Sequence, residues 1–237
     1  MAQGSAIWRA PAGIVARWTG RAEGDLGHGG RYVSTVDPDV EGRRRAVLDR
    51  SWSWVRQVHG AAVAVADRPG GGAGTVADAL VSARADTALA VLTADCAPVA
   101  LASPEGVLAA AHGGWRGLLA GVIERTVEAM SGLGATHIVA AVGPCVRAEC
   151  YEFGVEDLDQ VAARLGRSVR SVTADGKPAL DLVAAVAATL QRAGVSDVDL
   201  TSAACTACCP DYFSHRARGE AQRQALVVWR RPPGSHG

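Results

Sequence analysis

Thr93-Ala94-Asp95-Cys96-Ala97-Pro98 and Ala111-His112-Gly113-Gly114-Trp115-Arg116-Gly117 bracket one apolar segment, and the fold turns on how that segment is read. Residues 99–103 and 107–111 read as two short buried strands. Between them, Ser103-Pro104-Glu105-Gly106 carries turn chemistry, because proline and glycine pre-set the φ values a turn requires. Such a hairpin places Cys96 just ahead of its first strand and His112 just beyond its second. Both then emerge at the same end, within reach of each other. A thiol beside an imidazole is either a pair of metal ligands or a nucleophile with its base. The bland alternative is a buried cysteine packed as a small hydrophobe next to a structural histidine. The residues after His112 tilt the balance toward function: two glycines permit close backbone approach, and Trp115-Arg116-Gly117 leads into a helix.

Upstream of the hairpin, residues 77–82 and 88–92 are further short apolar strands, and 61–67 is strand-like. Gln57-Val58-His59-Gly60 precedes the last of these, so His59 sits at a strand junction, where rigid scaffolds present ligands. Residues 52–58 alternate weakly, and 69–74 is a Gly-rich loop. Residues 1–35 read as irregular, apart from a candidate edge strand at Ile14–Trp18. The Gly-rich loop over 20–30, which holds His28, lacks both Rossmann and P-loop spacings. Residues 36–39 look like a helix start, and 40–50 like a basic helix whose Arg43, Arg44 and Arg45 form a solvated face.

Downstream, Leu119, Val122, Ile123, Thr126, Val127 and Met130 follow helical spacing, which predicts one helix over 118–130. A strand is expected at 137–142, helices at Val155–Leu165 and 181–193, and a connection at 172–180. Asp181 stands near its helix N-terminus, where a carboxylate meets the helix dipole favourably. A strand comes next at 195–200, and 212–216 with 225–229 look like a closing strand pair. The Pro/Gly-rich 231–237 reads as a disordered tail. Strands and helices mix without strict βαβ alternation. That predicts one α/β (α+β) domain over residues 1–230, with mixed sheets covered by helices.

The chain has 237 residues, 49% of them hydrophobic, enough to bury a sizeable core. Lys plus Arg number 24 and Asp plus Glu 24, a balance that gives no support for nucleic acid or an anionic membrane as partner. No apolar run approaches the roughly 20 residues that span a bilayer, and residues 1–6 lack the features of a signal peptide. The expected address is cytoplasmic, where the six cysteines stay reduced and metal binding or catalysis is favoured over disulfides.

His59, Cys96 and His112 each end a predicted strand, and Cys/His sets with an open position suit catalytic zinc. Their long spacing does not by itself specify a site. Cys205-Thr206-Ala207-Cys208-Cys209 competes, since CxxC is a redox pair or half a zinc site. With no second CxxC or HxxxH to complete it, packing and loop structure is the favoured reading. Arg44, Arg116, Arg216 and Arg223 lie near motif-like segments. Arginine recognises phosphate and carboxylate through its planar fork, and Arg116, fixed right after His112, is the best placed.

Taken in order, Gln57-Val58-His59-Gly60, Ala77-Asp78-Ala79-Leu80-Val81, Thr93-Ala94-Asp95-Cys96, His112-Gly113-Gly114-Trp115-Arg116-Gly117, Gly143-Pro144, Tyr151-Glu152, Cys205-Thr206 and Phe213-Ser214-His215-Arg216 resemble the YfiH family, also called the laccase-domain or multicopper polyphenol oxidase family. The likeness covers about residues 36–229. It implies a four-layer α/β/β/α fold and a zinc-dependent purine nucleoside phosphorylase acting on adenosine, inosine and methylthioadenosine, with adenosine deaminase activity. It implies His59, Cys96 and His112 as zinc ligands, Cys96, His112 and Arg116 as catalytic, and Arg44, Asp78, Arg116, His215 and Arg216 as substrate contacts. The implied partners are a nucleoside and phosphate, and the oligomeric state, monomer or homodimer, stays open.

The chain departs from the family pattern at Arg43-Arg44, His215-Arg216-Ala217 and Gln222-Arg223, and lacks an Asn-Leu near Leu26. These departures bear on substrate contacts more than on the metal. Two other functions remain. A copper-dependent polyphenol oxidase (laccase) needs several copper centres and hence many histidines, against six here. A metal-free cysteine hydrolase would act on an amide through Cys96 and His112.

Overall fold

Two six-stranded sheets face each other at the centre of the molecule. The computed structural model describes residues 5–27 and 39–231. In chain order the strands are β1 (Ala6–Arg9), β2 (Ile14–Trp18), β3 (Trp52–Arg56), β4 (Val63–Val65), β5 (Thr75–Val76), β6 (Ala79–Ser82), β7 (Ala88–Thr93), β8 (Ala97–Ala102), β9 (Leu108–Gly113), β10 (Val139–Val142), β11 (Arg170–Val172), β12 (Pro178–Leu180), β13 (Val198–Asp199) and β14 (Gln224–Arg230). The helices are α1 (Val40–Val47), α2 (Trp115–Ala120), α3 (Val122–Gly132), α4 (Val155–Leu165), α5 (Leu182–Arg192) and α6 (His215–Arg218). The first sheet runs β1-β2-β14-β7-β3-β5, the second β13-β10-β8-β9-β6-β4, and β11 and β12 form a separate hairpin.

The period of two along a strand sorts the residues into layers. Leu89 and Val91 of β7, Leu226 and Val228 of β14, Ala100 and Ala102 of β8, and Leu108 and Ala110 of β9 fill the space between the sheets. Their neighbours point the other way. Ala88, Ala90, Ala225 and Val227 pack with Val47 of α1 on the outside of the first sheet. Val99, Leu101, Ala109 and Ala111 pack with α2 to α5 on the outside of the second. Central strands buried on both faces therefore read as continuous apolar runs, and the layers are α/β/β/α, as the resemblance implied.

The central hairpin pairs β8 with β9 antiparallel, with Pro98 opposite His112. Its turn closes through the Gly106 N–H donating to the Ser103 carbonyl at 3.0 Å, with Gly106 at φ +89°. His112 lies inside β9 rather than just after it.

Several expectations change. Ala6–Arg9 is not irregular: it forms β1 and pairs with β2, so Ile14–Trp18 is an inner strand with Trp18 fully buried. The single helix over 118–130 is two, α2 and α3, because Gly121 at φ +90° breaks the run. Residues 212–216 are not a strand. Ser214 caps α6 instead, accepting from the Ala217 N–H at 3.1 Å, and β14 pairs with β2 and β7. The connection at 172–180 contains the β11–β12 hairpin. Arg44 is buried rather than part of a solvated face. His28, the helix start at 36–38 and nearly all of the expected tail lie outside the described residues. Among the described residues no helix is long and apolar enough to cross a membrane.

Candidate metal centre

The chain crosses from the first sheet to the second between β3 and β4, between β5 and β6, and between β7 and β8. His59 lies on the first of these connections, Asp78 on the second and Cys96 on the third. His112 stands near the end of β9, where the second sheet hands over to α2. His59, Cys96 and His112 therefore meet at one end of the sandwich, and their ligand atoms lie within 4.8 Å of one another. Cys96 Sγ is 3.7 Å from His59 Nε2, and the two imidazoles meet edge-on at 4.8 Å between centroids. His112 is buried, Cys96 half-buried and His59 exposed, so the cluster opens to solvent on the His59 side.

One carboxylate fastens both histidines. Asp78 Oδ1 accepts from His112 Nδ1 at 2.9 Å and from the His59 N–H at 2.9 Å, while Oδ2 accepts from the Gly60 and Val58 N–H groups at 2.8 and 3.2 Å. With Nδ1 engaged, His112 turns Nε2 toward the cluster. Histidine ligands of metals characteristically present a second ring nitrogen to a carboxylate in this way. His59 itself sits at φ +60°, in the left-handed region that costs a non-glycine residue about 1–3 kcal/mol unless its surroundings hold it there. The three amides bound to Asp78 do so.

Asp95 is the second such anchor. Buried and at φ +102°, it accepts from Thr206 Oγ1 (2.6 Å), Ser214 Oγ (2.7 Å) and the Arg216 N–H (2.6 Å). The turn that carries Cys96 is thus tied to the Cys205–Thr206 loop and to α6. Gly114 completes the fit. A Cβ there would stand 2.6 Å from His59 Cδ2 and 3.3 Å from Cys96 Sγ, so only glycine lets the backbone pass this close.

Charge follows from the packing. Burial alone would raise the Cys96 thiol, but the His112 charge and hydrogen bonds from both histidines bring it down to about 6. Burial would likewise depress His112, but Cys96 and Asp78 hold it up at about 9. Each charge favours the other, which biases the bare cluster toward a thiolate–imidazolium pair. Two imidazole nitrogens and a low-pKa thiol, with a carboxylate behind one ring, make a donor set that fits a borderline-soft divalent metal.

Arg116 is exposed on the first turn of α2, its guanidinium 4.2 Å over the Trp115 ring. Arg216 lies 5.3 Å over the Tyr151 ring and donates to the Glu152 carbonyl. Tyr151 ties these together: burial and the charges of Cys96 and Asp95 raise its phenol, and Arg216 and Arg116 counter them. His215 is exposed beside Arg216. The remaining two expected substrate contacts sit differently. Asp78 is fully buried and spends both oxygens on His112 and the 58–60 amides. Arg44 is buried on the outer face of the first sheet. Its described partners are Glu41, the Leu26 carbonyl and the rings of Trp52 and Trp54, none of them in the triad. Sequence reasoning missed Asp95, Ser214, Thr206 and Tyr151 as parts of the site, although each falls inside a quoted motif.

The family model of the multi-copper polyphenol oxidoreductase laccases matches residues 35–231. A Streptomyces coelicolor protein named purine nucleoside phosphorylase is 48% identical over 180 residues, 74% of either chain. A Streptomyces griseus protein of the same name is 41% identical over 228 residues, 90% of this chain and 91% of the relative. Among solved structures, a Neisseria meningitidis protein superposes with a TM-score of 0.83 at 29% identity, over 97% of this chain and 100% of that one. Bacillus licheniformis YfiH shares the fold, with a TM-score of 0.81 at 23% identity over 92% and 93% of the two chains.

Proposed function

The chain belongs to the multi-copper polyphenol oxidoreductase laccase (YfiH) family, and we propose that it is a zinc-dependent phosphorylase of purine nucleosides. The observation that carries the proposal is the clustering of the His59, Cys96 and His112 ligand atoms within 4.8 Å of one another, supported by Arg116 over the Trp115 ring and Arg216 over the Tyr151 ring. The 48% identity to a relative bearing that activity in its name supports it. Adenosine, inosine and methylthioadenosine are the proposed substrates, and adenosine deamination a second activity of the same centre.

Phosphorolysis needs a bound phosphate, tolerance of an oxocarbenium-like sugar and help for the departing base. Arg116 and Arg216 supply two guanidinium forks for the phosphate, each braced over an aromatic ring. Tyr151, held protonated above the ordinary phenol range, has an O–H to donate. Asp78 keeps His112 in one tautomer and orientation, with Nε2 facing the centre. His59, Cys96 and His112 would hold the zinc, which would supply Lewis-acid polarisation there.

One observation favours a second reading. Without metal, Cys96 as thiolate, His112 as imidazolium and Asp78 behind it form the array of a cysteine hydrolase. Metal analysis of the purified protein, followed by product identification with each nucleoside and phosphate, separates the two. Stoichiometric zinc with phosphate-dependent release of free base supports the proposal. Copper in its place, or a protein that is metal-free as purified and releases no base, refutes it.

A further inference from the structure

Away from the His/Cys centre, Cys205 and Cys208 lie on one turn, closed by the Cys209 N–H donating to the Cys205 carbonyl at 3.1 Å. That turn is clipped to the segment after β10. The Cys145 N–H donates to the Ala204 carbonyl at 3.0 Å, and the Thr206 N–H donates to the Cys145 carbonyl at 3.1 Å. From Cys145 the chain runs through a short 3-10 turn, Ala148–Cys150, which returns Cys150 to the same place. The thiols of Cys150, Cys205 and Cys208 and a carboxylate oxygen of Glu149 consequently lie within 4.8 Å of one another. The second half-site that the CxxC lacks in sequence is Glu149-Cys150, delivered by the fold.

We infer that Glu149, Cys150, Cys205 and Cys208 form a second metal site, taking a zinc-like divalent cation with three thiolates and one carboxylate. Zinc–sulfur bonds of about 2.3 Å in a tetrahedron put ligand atoms about 3.8 Å apart. The four atoms, within 4.8 Å of one another, lie near that spacing. Three thiolates select a soft tetrahedral cation over magnesium or calcium. Binding a cation releases the thiol protons to solvent. Four protein ligands leave no open position, so the site is structural. Its position couples it to the first centre, because Thr206, beside Cys205, bonds Asp95 of the Cys96 turn, and Tyr151 is the residue after Cys150. A cation here clamps two walls of the first centre together.

The test uses cobalt(II) as probe on the Cys96→Ala chain, which has lost the thiolate of the first centre. Tetrahedral cobalt with strong sulfur-to-metal charge-transfer absorption, lost again when Cys150→Ser is added, is the expected result. Absence of that absorption in Cys96→Ala overturns the proposal. If the variants fail to fold, the wild-type chain decides. Loaded with zinc, its Cys150, Cys205 and Cys208 should resist alkylation, as mapped by peptide mass, and react after chelation. Equal alkylation with and without zinc, or a disulfide among these cysteines in protein isolated without air, overturns it as well. None of these readouts depends on nucleoside chemistry.

Discussion

Asp78→Asn should damage the centre while leaving every proposed ligand in place. Asp78 Oδ1 serves His112 Nδ1 and the His59 amide, and Oδ2 serves the Val58 and Gly60 amides. An asparagine can turn its oxygen to only one of these pairs, and its NH2 then faces two donors. Either orientation loses two charge-assisted hydrogen bonds, at about 1.5–3 kcal/mol each, so metal-free stability should fall by roughly 3–6 kcal/mol. Zinc affinity should fall by about 10–100-fold, the usual cost of losing a carboxylate behind a histidine ligand. The pH dependence has a definite sign. Burial opposes the Asp78 charge, but bonds from His112 and the backbone depress its pKa. A depressed carboxylate contributes stability above its unfolded value, about 3.9, which is lost as pH falls through the folded value. That acid loss should be missing from the variant. Urea denaturation across acid pH and chelator-competition titration measure both effects. An unchanged midpoint with zinc affinity within twofold of wild type would refute the account of Asp78 as the anchor of both histidines.

Gly114→Ala pushes a Cβ to 2.6 Å from His59 Cδ2, so zinc affinity should drop while the fold, measured by circular dichroism, survives; unchanged affinity removes His59 from the ligand set. Arg116→Lys keeps the charge but loses the fork and the stacking over Trp115, so KM for phosphate should rise with zinc content intact. Phosphorolysis unaltered at subsaturating phosphate would make Arg116 a brace for Trp115. In the chelated protein, Cys96 alkylation should reach half its maximal rate near pH 6, where the thiol is held down by His112, and zinc should suppress the reaction. Rapid alkylation of the zinc-loaded chain, with activity lost and zinc retained, moves the protein to the cysteine-hydrolase reading.

The hairpin and most strands are legible in the sequence because they rest on local pattern, apolar runs and turn residues; His59, Cys96 and His112 stand out there only as Cys or His at strand ends, and it is the fold that brings them together. Asp181 near a helix N-terminus is legible from local pattern as well, and the structure makes it the cap of α5, its carboxylate accepting from the Ala184 N–H at 2.9 Å. The features that escape depend on non-local partners. Asp78 resembles a substrate contact in sequence, yet its role comes from the 58–60 loop and β9 arriving on either side. Arg44 reads as solvated because charge runs usually are, but Trp52 and Trp54 offer it two aromatic faces. Residues 212–216 have strand-like composition, and Asp95 and Gln224 claim their backbone donors: Gln224 Oε1 accepts from Phe213 at 2.8 Å and Asp95 from Arg216. The cysteine cluster is half-visible, since spacing within one motif says nothing of a cysteine contributed from another.

The placement of the centre explains its architecture. A ligand on a connection between stacked sheets is held by neither ladder, so something other than strand pairing must fix it. Here two buried carboxylates do so, Asp78 for the connection that carries His59 and Asp95 for the turn that carries Cys96. Asp78 gathers the β3–β4 loop and turns the His112 ring, and Asp95 gathers the Cys96 turn, the Thr206 loop and α6. Apart from Ala12 near the N-terminus, His59 and Asp95 are the non-glycine residues at positive φ among those described. Strain of this kind persists only where the surroundings over-determine it, and both cases fall beside the triad. Each strained residue places a donor atom or a loop that an unstrained backbone would direct elsewhere. The stability given up at those two positions fixes His59 and Cys96 on their connections beside His112 of β9, which is what a candidate metal centre at the joint requires.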